Sequence, residues 1–266
     1  MAIEVFNRNE CKFVIDEKIY EKIQDRLLNY MEVDDYNKTH EFYTISNIYY
    51  DTKDNHLIRT SLSKPSYKEK LRLRAYGVPE SEEKVYLEIK KKVCGLVNKR
   101  RTSLKLKEAY KFINTAEKPE IKEYMNNQVI NEIEYILKIY DLEPKLYLAY
   151  DRKALFSREN RDLRITFDTN IRTRRHDLKL ESGDHGEKLL DSDKWLMEVK
   201  AEKNIPLWLS KLLSEHKVFK RSFSKYGKEY ERMLISNRSI EGEIKKCSNQ
   251  YSVQYQEQHR LAHQYL

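Results

Sequence analysis

Glycine, proline and cysteine are scarce in this sequence, whose 266 residues include six, five and three of them. No glycine falls in a G-x-G-x-x-G or G-x-x-x-x-G-K-[ST] pattern, which excludes the Rossmann and P-loop routes to a nucleotide. The cysteines Cys11, Cys94 and Cys247 are odd in number, lie far apart and form no C-x-x-C pair. This pattern argues against a disulfide framework or a zinc ribbon. Any nucleotide must therefore be bound by side chains.

Long hydrophobic runs are also missing. No apolar stretch approaches the roughly 18 residues of a membrane span, and the first residues, MAIEVFNRNECK, lack the apolar core of a signal peptide. We therefore expect a cytoplasmic protein that does not itself span a membrane. A membrane-protein partner at the cytoplasmic face of a membrane stays open.

Charge is the abundant feature. Lys and Arg number 51 against 43 Asp and Glu, which gives a formal charge of +8 and an isoelectric point near 9.1. This balance indicates an anionic partner, but it does not distinguish nucleic acid, acidic lipid and a phosphate compound. The length suits one large domain. We expect that domain over 1–236, followed over 237–266 by a polar tail or a partner-binding helix.

Charged and apolar residues alternate along the central segments. YKEKLRLRAYG (67–77) places Lys70, Arg72 and Arg74 on one strand face, and the segments 84–93 and 95–105 repeat this division. Such a face cannot lie in a dry core. Further strands are predicted over 4–15, 42–52, 145–156, 162–172 and 194–201. Helices are predicted over 16–31, near 54–63, over 107–140 with a break near Pro119, after Pro206, and from 224 to about 235.

The polar faces of these strands share one sign of charge. Their cations are Arg8, Lys12, Lys70, Arg72, Arg74, Lys90, Lys92, Lys99, Arg101, Arg152, Arg164 and Lys200. Their carboxylates are Glu10, Glu88, Asp168 and Glu198. A single charged face is ordinary on an open sheet, whereas this bias favours a shared anion-binding lumen. We predict an α+β fold: a closed antiparallel β-barrel of about eight strands with helices packed outside.

Three Glu-x-Lys pairs lie on the predicted inner face, beginning at Glu10, Glu88 and Glu198. Each carboxylate could form a structural ion pair, or it could bind a hard divalent cation that bridges to phosphate oxygens. Mg²⁺ or Mn²⁺ fits such oxygen ligands. The residue pattern alone leaves both readings open.

The ordered set of motifs resembles the triphosphate tunnel metalloenzymes, and more closely their vacuolar transporter chaperone (VTC) branch. It consists of Glu10-x-Lys12, Lys70-x-Arg72-x-Arg74, Glu88-x-Lys90, NKRR at 98–101, YDRKA at 150–154, Glu198-x-Lys200 and SKY at 224–226. The resemblance implies a tunnel that binds triphosphate or polyphosphate, and a metal that supports phosphoryl transfer from ATP to a growing chain. ATP and inorganic polyphosphate are the implied partners, without nucleic acid.

The resemblance also implies roles for individual residues. The expected catalytic residues are Arg72, Arg74, Lys90, Arg152 and Glu198. The expected phosphate-binding residues are Lys12, Lys70, Lys99, Arg101, Arg164, Lys200, Ser224 and Lys225. Glu198 is the expected metal ligand, with Glu10 and Glu88 as further candidates. Ser224 could equally be a simple helix N-cap.

Alternatives within the same superfamily stay open. Hydrolytic and cyclising tunnel enzymes often have an E-x-E-x-K signature in the first strand, whereas this chain has Arg8 at the first position. The departure favours the polymerase branch over a triphosphatase. A noncatalytic polyphosphate-binding module is the other alternative. His259 and His263 lack the Glu of a zincin motif, and Cys11 is expected in the core.

Overall fold

Eleven strands and six helices make up the described part of the chain. The structure is a computed structural model that describes residues 5–6, 9–94, 96–202 and 204–237. The strands are β1 Val5–Phe6, β2 Asn9–Asp16, β3 Met31–Val33, β4 Tyr43–Thr52, β5 Tyr67–Tyr76, β6 Lys84–Val93, β7 Leu96–Lys105, β8 Leu142–Ser157, β9 Arg164–Arg174, β10 Glu187–Lys188 and β11 Lys194–Ala201. The helices are α1 Glu17–Leu28, α2 His56–Leu62, α3 Leu106–Thr115, α4 Asn127–Ile139, α5 Leu207–Glu215 and α6 at 225–237.

The chain divides into two units, Met1–Tyr226 and Gly227–Leu266. The second unit is helical over 227–237 and otherwise lies outside the described residues, as does most of the tail predicted over 237–266. The predicted domain boundary at residue 236 stays a prediction. None of the described helices combines the length and apolar character that a membrane crossing requires.

All the strands belong to one antiparallel sheet. Its order is β1-β7-β6-β5-β4-β8-β9-β11-β2, with β10 beside β9 and β3 beside β8. The opposite edges, β1 and β2, are consecutive in the chain: β1 ends at Phe6 and β2 begins at Asn9. Three Cα steps span at most roughly 11 Å, so the two edges must meet and the sheet must curl into a barrel. The ladder of hydrogen bonds among the described residues does not itself close this seam.

Two apolar cores lie on the convex face of the sheet. The first lies between β4–β8 and the helices α3 and α4, and includes Leu71, Leu87, Phe112 and Ile133. The second lies between β2, β9, β11 and the helices α1 and α5. Burial of this apolar area stabilises the barrel from outside. The predicted α+β barrel with external helices is confirmed.

One irregularity changes which side chains of β9 face inward. The register of β8 against β9 shifts between Ala149 and Asp151, so Asp168 lies opposite inward Arg152, whereas Arg174 lies opposite Tyr147 of the first apolar core. Asn170 in β9 has a positive φ of 48°. Bulges of this kind realign the side chains of a strand.

Two details of the predicted helices are wrong. The helix predicted over 16–31 ends at Leu28, because Met31–Val33 pairs with β8 as a short strand. In the segment 107–140 the run of Ile130, Ile133, Leu137 and Ile139 predicts the helix face that covers the sheet, but Ile139 is 52% exposed and Ile136 is buried instead. Ile136 lies three residues after buried Ile133 and so continues the apolar stripe of α4.

The buried carboxylate of Asp51 joins three parts of the barrel wall. It accepts hydrogen bonds from the backbone N–H groups of Thr52 at 2.8 Å, Leu57 at 2.8 Å and Ile58 at 2.9 Å, and from the hydroxyl of Tyr226 at 3.1 Å. These bonds connect β4 to the first turn of α2 and to the residue that follows Lys225. Asp51 is completely buried.

We expect Asp51→Asn to lower the free energy of unfolding by about 2 kcal/mol, because hydrogen bonds to a charged acceptor are lost and an amide N–H₂ faces other donors. Exposed Asp54→Asn is the matched control and should have a much smaller effect, since Asp54 pairs with Arg59 at the surface. Urea unfolding followed by circular dichroism measures both. Equal losses in the two variants would contradict the assignment.

Candidate functional site

The strand register places the predicted site residues on one concave face. In an antiparallel ladder, directly opposed residues share a face. The opposed pairs are Lys12 with Glu198, Lys200 with Glu10 and Arg164, Arg152 with Asp168, Arg72 with Glu88, Lys70 with Lys90, Lys90 with Lys99, and Glu88 with Arg101. In nearly every strand, the alternate residues that carry charge thus line the lumen of the barrel.

Glu198 on β11 lies at the centre of the half formed by β2, β8, β9 and β11. Its side-chain oxygens are 3.5 Å from Lys12 Nζ, 3.5 Å from Lys225 Nζ and 3.6 Å from Lys200 Nζ. Burial alone would raise the pKa of Glu198, but the three ammonium groups hold that pKa well below its usual range. None of these contacts is as short as an ideal charged hydrogen bond. The carboxylate is therefore charged, and its lone pairs are only loosely engaged.

Asp168 on β9 is bound tightly instead. Arg152 donates from Nε at 2.6 Å and from Nη2 at 2.8 Å, and Lys225 donates to the second oxygen as well. Asp168 is completely buried. Burial alone would raise the pKa of Asp168, yet Arg152 and Lys225 lower it. This ion pair fixes the guanidinium of Arg152 and the ammonium of Lys225 at the lumen.

The half formed by β4–β7 has far fewer carboxylates than cations. Its inner face offers Glu88, which is 1% exposed. Arg72 Nε donates to Glu88 at 2.6 Å, while Lys99 Nζ lies at 3.0 Å and Arg74 Nε at 3.9 Å. One carboxylate is thus shared among several cations, and the positive charge here is only partly neutralised.

The lysines of this half show the effect of that excess. Burial and the neighbouring Lys90 and Lys68 together lower the pKa of Lys70 to about 8. Burial also lowers the pKa of Lys99 to about 7, with Arg72 and Arg74 acting in the same direction against Glu88. An anion in the lumen would relieve both effects. The basic half is therefore suited to bind several negative charges.

Polar residues that the sequence analysis did not select orient the two arginines of β5. Arg74 donates from Nε to Asn47 Oδ1 at 2.9 Å and from Nη2 to the Tyr150 hydroxyl at 3.1 Å. Arg72 donates to the Tyr49 hydroxyl at 3.2 Å. Burial would raise the pKa of Tyr49, but Arg72 and its neighbours lower it to about 8. The sequence does contain a signal for these residues: Asn47 and Tyr49 alternate with apolar Ile48, which indicates that both lie on the polar face of β4.

The segment before α6 is attached to the lumen wall. The backbone N–H of Arg221 donates to the Lys12 carbonyl at 2.8 Å, and Lys12 Nζ donates to the Phe223 carbonyl at 3.1 Å. Tyr226 is anchored by Asp51, as described above. These contacts place Lys225 between Asp168 and Glu198. Ser224 immediately precedes the helix at 225–237, the position predicted for it.

Two of the predicted phosphate-binding residues, Arg101 and Arg164, do not take part in the ion pairs around Glu88, Asp168 and Glu198 described above. Arg101 is exposed and its guanidinium lies 4.6 Å from the ring centre of Tyr86. Arg164 donates to Asp34 at 3.3 Å and packs on the ring of Phe156. Both residues share the inner face by register. Arg8 lies outside the described residues, so its predicted position on that face stays a prediction.

The donor atoms around Glu198 fit a hard divalent cation. Thr166 is directly opposite Glu198 on β9, is 1% exposed, and its Oγ1 has no hydrogen-bond partner among the described residues. An unpaired buried hydroxyl is costly unless something binds it. Oxygen donors of this kind suit Mg²⁺ or Mn²⁺. Glu88 is less suitable because Arg72 and Lys99 already contact its two oxygens.

Comparison with solved structures supports the fold. A candidate adenylate cyclase from Bacillus halodurans aligns with a TM-score of 0.52 at 14% identity, covering 84% of this chain and 96% of that chain. A candidate adenylyl cyclase from Hippeastrum with a dominant triphosphatase activity aligns with a TM-score of 0.45 at 14% identity, over 82% of this chain and 92% of that chain. At such low identity the first similarity concerns the fold alone.

Sequence comparison is more specific. No curated protein matches the chain at a significant level. The model of the VTC domain, in contrast, matches residues 7–234, a range that includes every strand lining the lumen described above except the two residues of β1. The resemblance inferred from the ordered lumen motifs is thereby confirmed, and the chain belongs to the VTC domain family.

Proposed function

We propose that this protein is a metal-dependent polyphosphate polymerase, which transfers the γ-phosphate of ATP to a growing polyphosphate chain inside the lumen. The observation that supports it best is the unequal division of charge around the barrel. Among the described residues, the cations of one half share the buried carboxylate of Glu88, and the other half presents a loosely paired carboxylate, Glu198. The first arrangement suits a polyanion, and the second suits a cation.

The basic half supplies the phosphate contacts. Arg72 and Arg74 are fixed by Glu88, Asn47 and Tyr49, so their remaining N–H groups are oriented before a ligand arrives. Lys70 and Lys99 have lowered pKa values because burial and other cations destabilise their charge. Phosphate oxygens replace the missing counter-charge. Binding energy is then gained with little reorganisation of the protein.

Glu198, together with the Oγ1 of Thr166, would bind the metal ion. When bound, Mg²⁺ or Mn²⁺ supplies a positive charge that neutralises the β- and γ-phosphate oxygens during transfer. The neighbouring lysines Lys12, Lys200 and Lys225 then pair with phosphate rather than with Glu198 alone. Asp168 aligns Arg152, which contributes a fixed guanidinium to the same half of the lumen as Glu198.

The protonation of the carboxylates favours a phosphate nucleophile over water. Water needs a general base whose pKa is near the working pH. The pKa values of Glu198 and Glu88 are held well below their usual range by the surrounding cations, so both are poor bases. A terminal phosphate oxygen of the chain is already anionic. It attacks the γ-phosphorus, a new P–O bond forms, and the bond to the departing ADP oxygen breaks.

The partners follow from this chemistry. ATP and inorganic polyphosphate are the proposed ligands, and the cytoplasm, where ATP is available, is the proposed location. A membrane protein that receives the growing chain remains compatible with the proposal.

The first functional prediction concerns the product. With γ-labelled ATP and Mn²⁺, we expect label to enter acid-labile polymer in step with ADP formation, with free phosphate as a minor product and with a lag that a short polyphosphate primer shortens. A time course resolved on a gel measures all three. Label released mainly as free phosphate would indicate a triphosphatase. Label retained in ATP, with polyphosphate bound, would indicate a noncatalytic module.

The second concerns Glu198→Gln, which keeps the shape of the side chain and removes its charge. We expect turnover to fall by at least about a hundredfold, since loss of a charge that positions a metal removes several kcal/mol of transition-state stabilisation. Glu134→Gln is the matched control and should keep normal turnover, because Glu134 lies on α4 and pairs with Lys118 and Lys138. Steady-state kinetics and circular dichroism distinguish a catalytic defect from misfolding. Near-normal metal-dependent turnover in Glu198→Gln would exclude it as the ligand.

The third concerns pH. Lys70 and Lys99 are protonated below about 8 and about 7, and only the protonated forms attract phosphate. Affinity for polyphosphate should therefore fall, by about tenfold or more, as the pH rises from 6 to 9. The double variant Lys70→Arg/Lys99→Arg should flatten this profile because arginine stays charged. Titration calorimetry measures it, and an unchanged profile in the double variant would exclude these two lysines as the source.

A further inference from the structure

A group of metal-binding side chains lies outside the lumen, after the end of β9. The possible ligand atoms of His176, Asp177 and His185 all lie within 4.8 Å of one another, and all three residues are exposed. The group lies apart from Glu198. Arg174, which adjoins it, packs on Tyr147 of the first apolar core at 3.5 Å from the ring centre. The group is therefore on the convex side of the sheet.

The backbone that bears these ligands is fixed by one buried guanidinium. Arg174 is 3% exposed and donates to the carbonyl of Asp177 at 3.1 Å, to that of Lys179 at 3.1 Å and to that of His185 at 2.7 Å. Two of these carbonyls belong to residues of the ligand group itself. The guanidinium thus holds the two loop segments together independently of the imidazole and carboxylate groups.

Two glycines give the loop its close approach to β9. A Cβ on Gly186 would lie 2.8 Å from the carbonyl oxygen of Thr173, so only glycine allows this approach. Gly183 has a φ of +94°, and a Cβ there would lie 3.3 Å from Nδ1 of His185. Arg172 adds an ion pair to Asp184 at 2.7 Å. The imidazole of His185 is consequently presented on a well-fixed backbone next to His176.

We propose that His176, Asp177 and His185 form a binding site for a borderline transition-metal cation of the Zn²⁺ class. Two imidazoles and a carboxylate are a donor set that Zn²⁺, Ni²⁺ and Cu²⁺ prefer, whereas Mg²⁺ prefers oxygen ligands. With Zn–ligand bonds of about 2.0–2.2 Å, tetrahedral donors are roughly 3.4 Å apart. Since the present donor atoms lie within 4.8 Å of one another, the three exposed side chains would have to approach by up to about 1.4 Å to reach that spacing. Water completes the coordination.

The cation would join the end of β9 to the loop that leads to β10. It would stabilise the folded state, because a preformed site binds the cation in the native protein and the separated ligands of an unfolded chain bind it more weakly. This site does not depend on the proposed polymerase activity, since its ligands do not face the lumen.

The test uses the full chain, without an affinity tag, in a buffer free of phosphate and ATP. We expect Zn²⁺ to bind in titration calorimetry and to raise the melting temperature. His176→Ala/His185→Ala should weaken that binding by more than about tenfold, and Asp177→Asn should weaken it to a lesser degree. The alanine substitutions keep the carbonyl of His185, and hence its bond to Arg174.

Two controls make the result specific. His259→Ala/His263→Ala removes the histidine pair near the C-terminus and His40→Ala removes an exposed single histidine; both variants should retain the binding. Co²⁺ in place of Zn²⁺ should give a visible absorption band that the His176→Ala/His185→Ala variant lacks. Equal Zn²⁺ affinity in that variant and the unsubstituted protein, loss of binding in either control, or no binding at all would overturn the proposal.

Discussion

Repulsion between like charges on the concave face is the constraint on which this structure depends. Two unit charges about 4 Å apart interact by roughly 4 kcal/mol at an effective dielectric constant of 20, and the lumen places cations directly opposite one another, as in Lys70 with Lys90 and Lys90 with Lys99. Asp168, Glu198 and Glu88 each contact two or more of them. Neutralisation is nearly complete beside β9 and β11 and incomplete beside β5–β7. The positive charge that stays unneutralised beside β5–β7 creates the proposed binding surface.

A charged interior requires the apolar core to lie elsewhere. Because charged residues occupy the inner face of most strands, the outward residues must be covered, and α1, α3, α4 and α5 provide that cover in two separate clusters. The helices therefore stabilise the barrel without filling it. The rigidity of the lumen side chains then comes from ion pairs and hydrogen bonds, such as Arg74 with Asn47 and Tyr150, rather than from apolar packing.

The period of two in the strands made the inner face predictable. Lys70, Arg72 and Arg74 alternate with buried leucines, and this local pattern survives folding unchanged. Contacts between distant strands could not be predicted in the same way. The bond from Arg72 to Tyr49 depends on register, and the bulge opposite Tyr150 turns Arg172 and Arg174 of β9 to the outer face. The predicted end of the first helix failed for a similar reason, since pairing of Met31–Val33 with β8 outweighs local helical spacing.

At the seam between β1 and β2, the strands that form the wall of the barrel are held by fewer backbone hydrogen bonds than elsewhere. Among the described residues, β1 pairs with β7 through Val5 and Phe6, whereas β6 pairs with β7 through ten residues. Within the described part of the wall this strip has the fewest backbone bonds, and local opening costs least where few such bonds must break. A linear polymer has two free ends but many internal units. Lateral entry at the seam would let such a molecule reach the lumen from any point along its length, and not by threading alone.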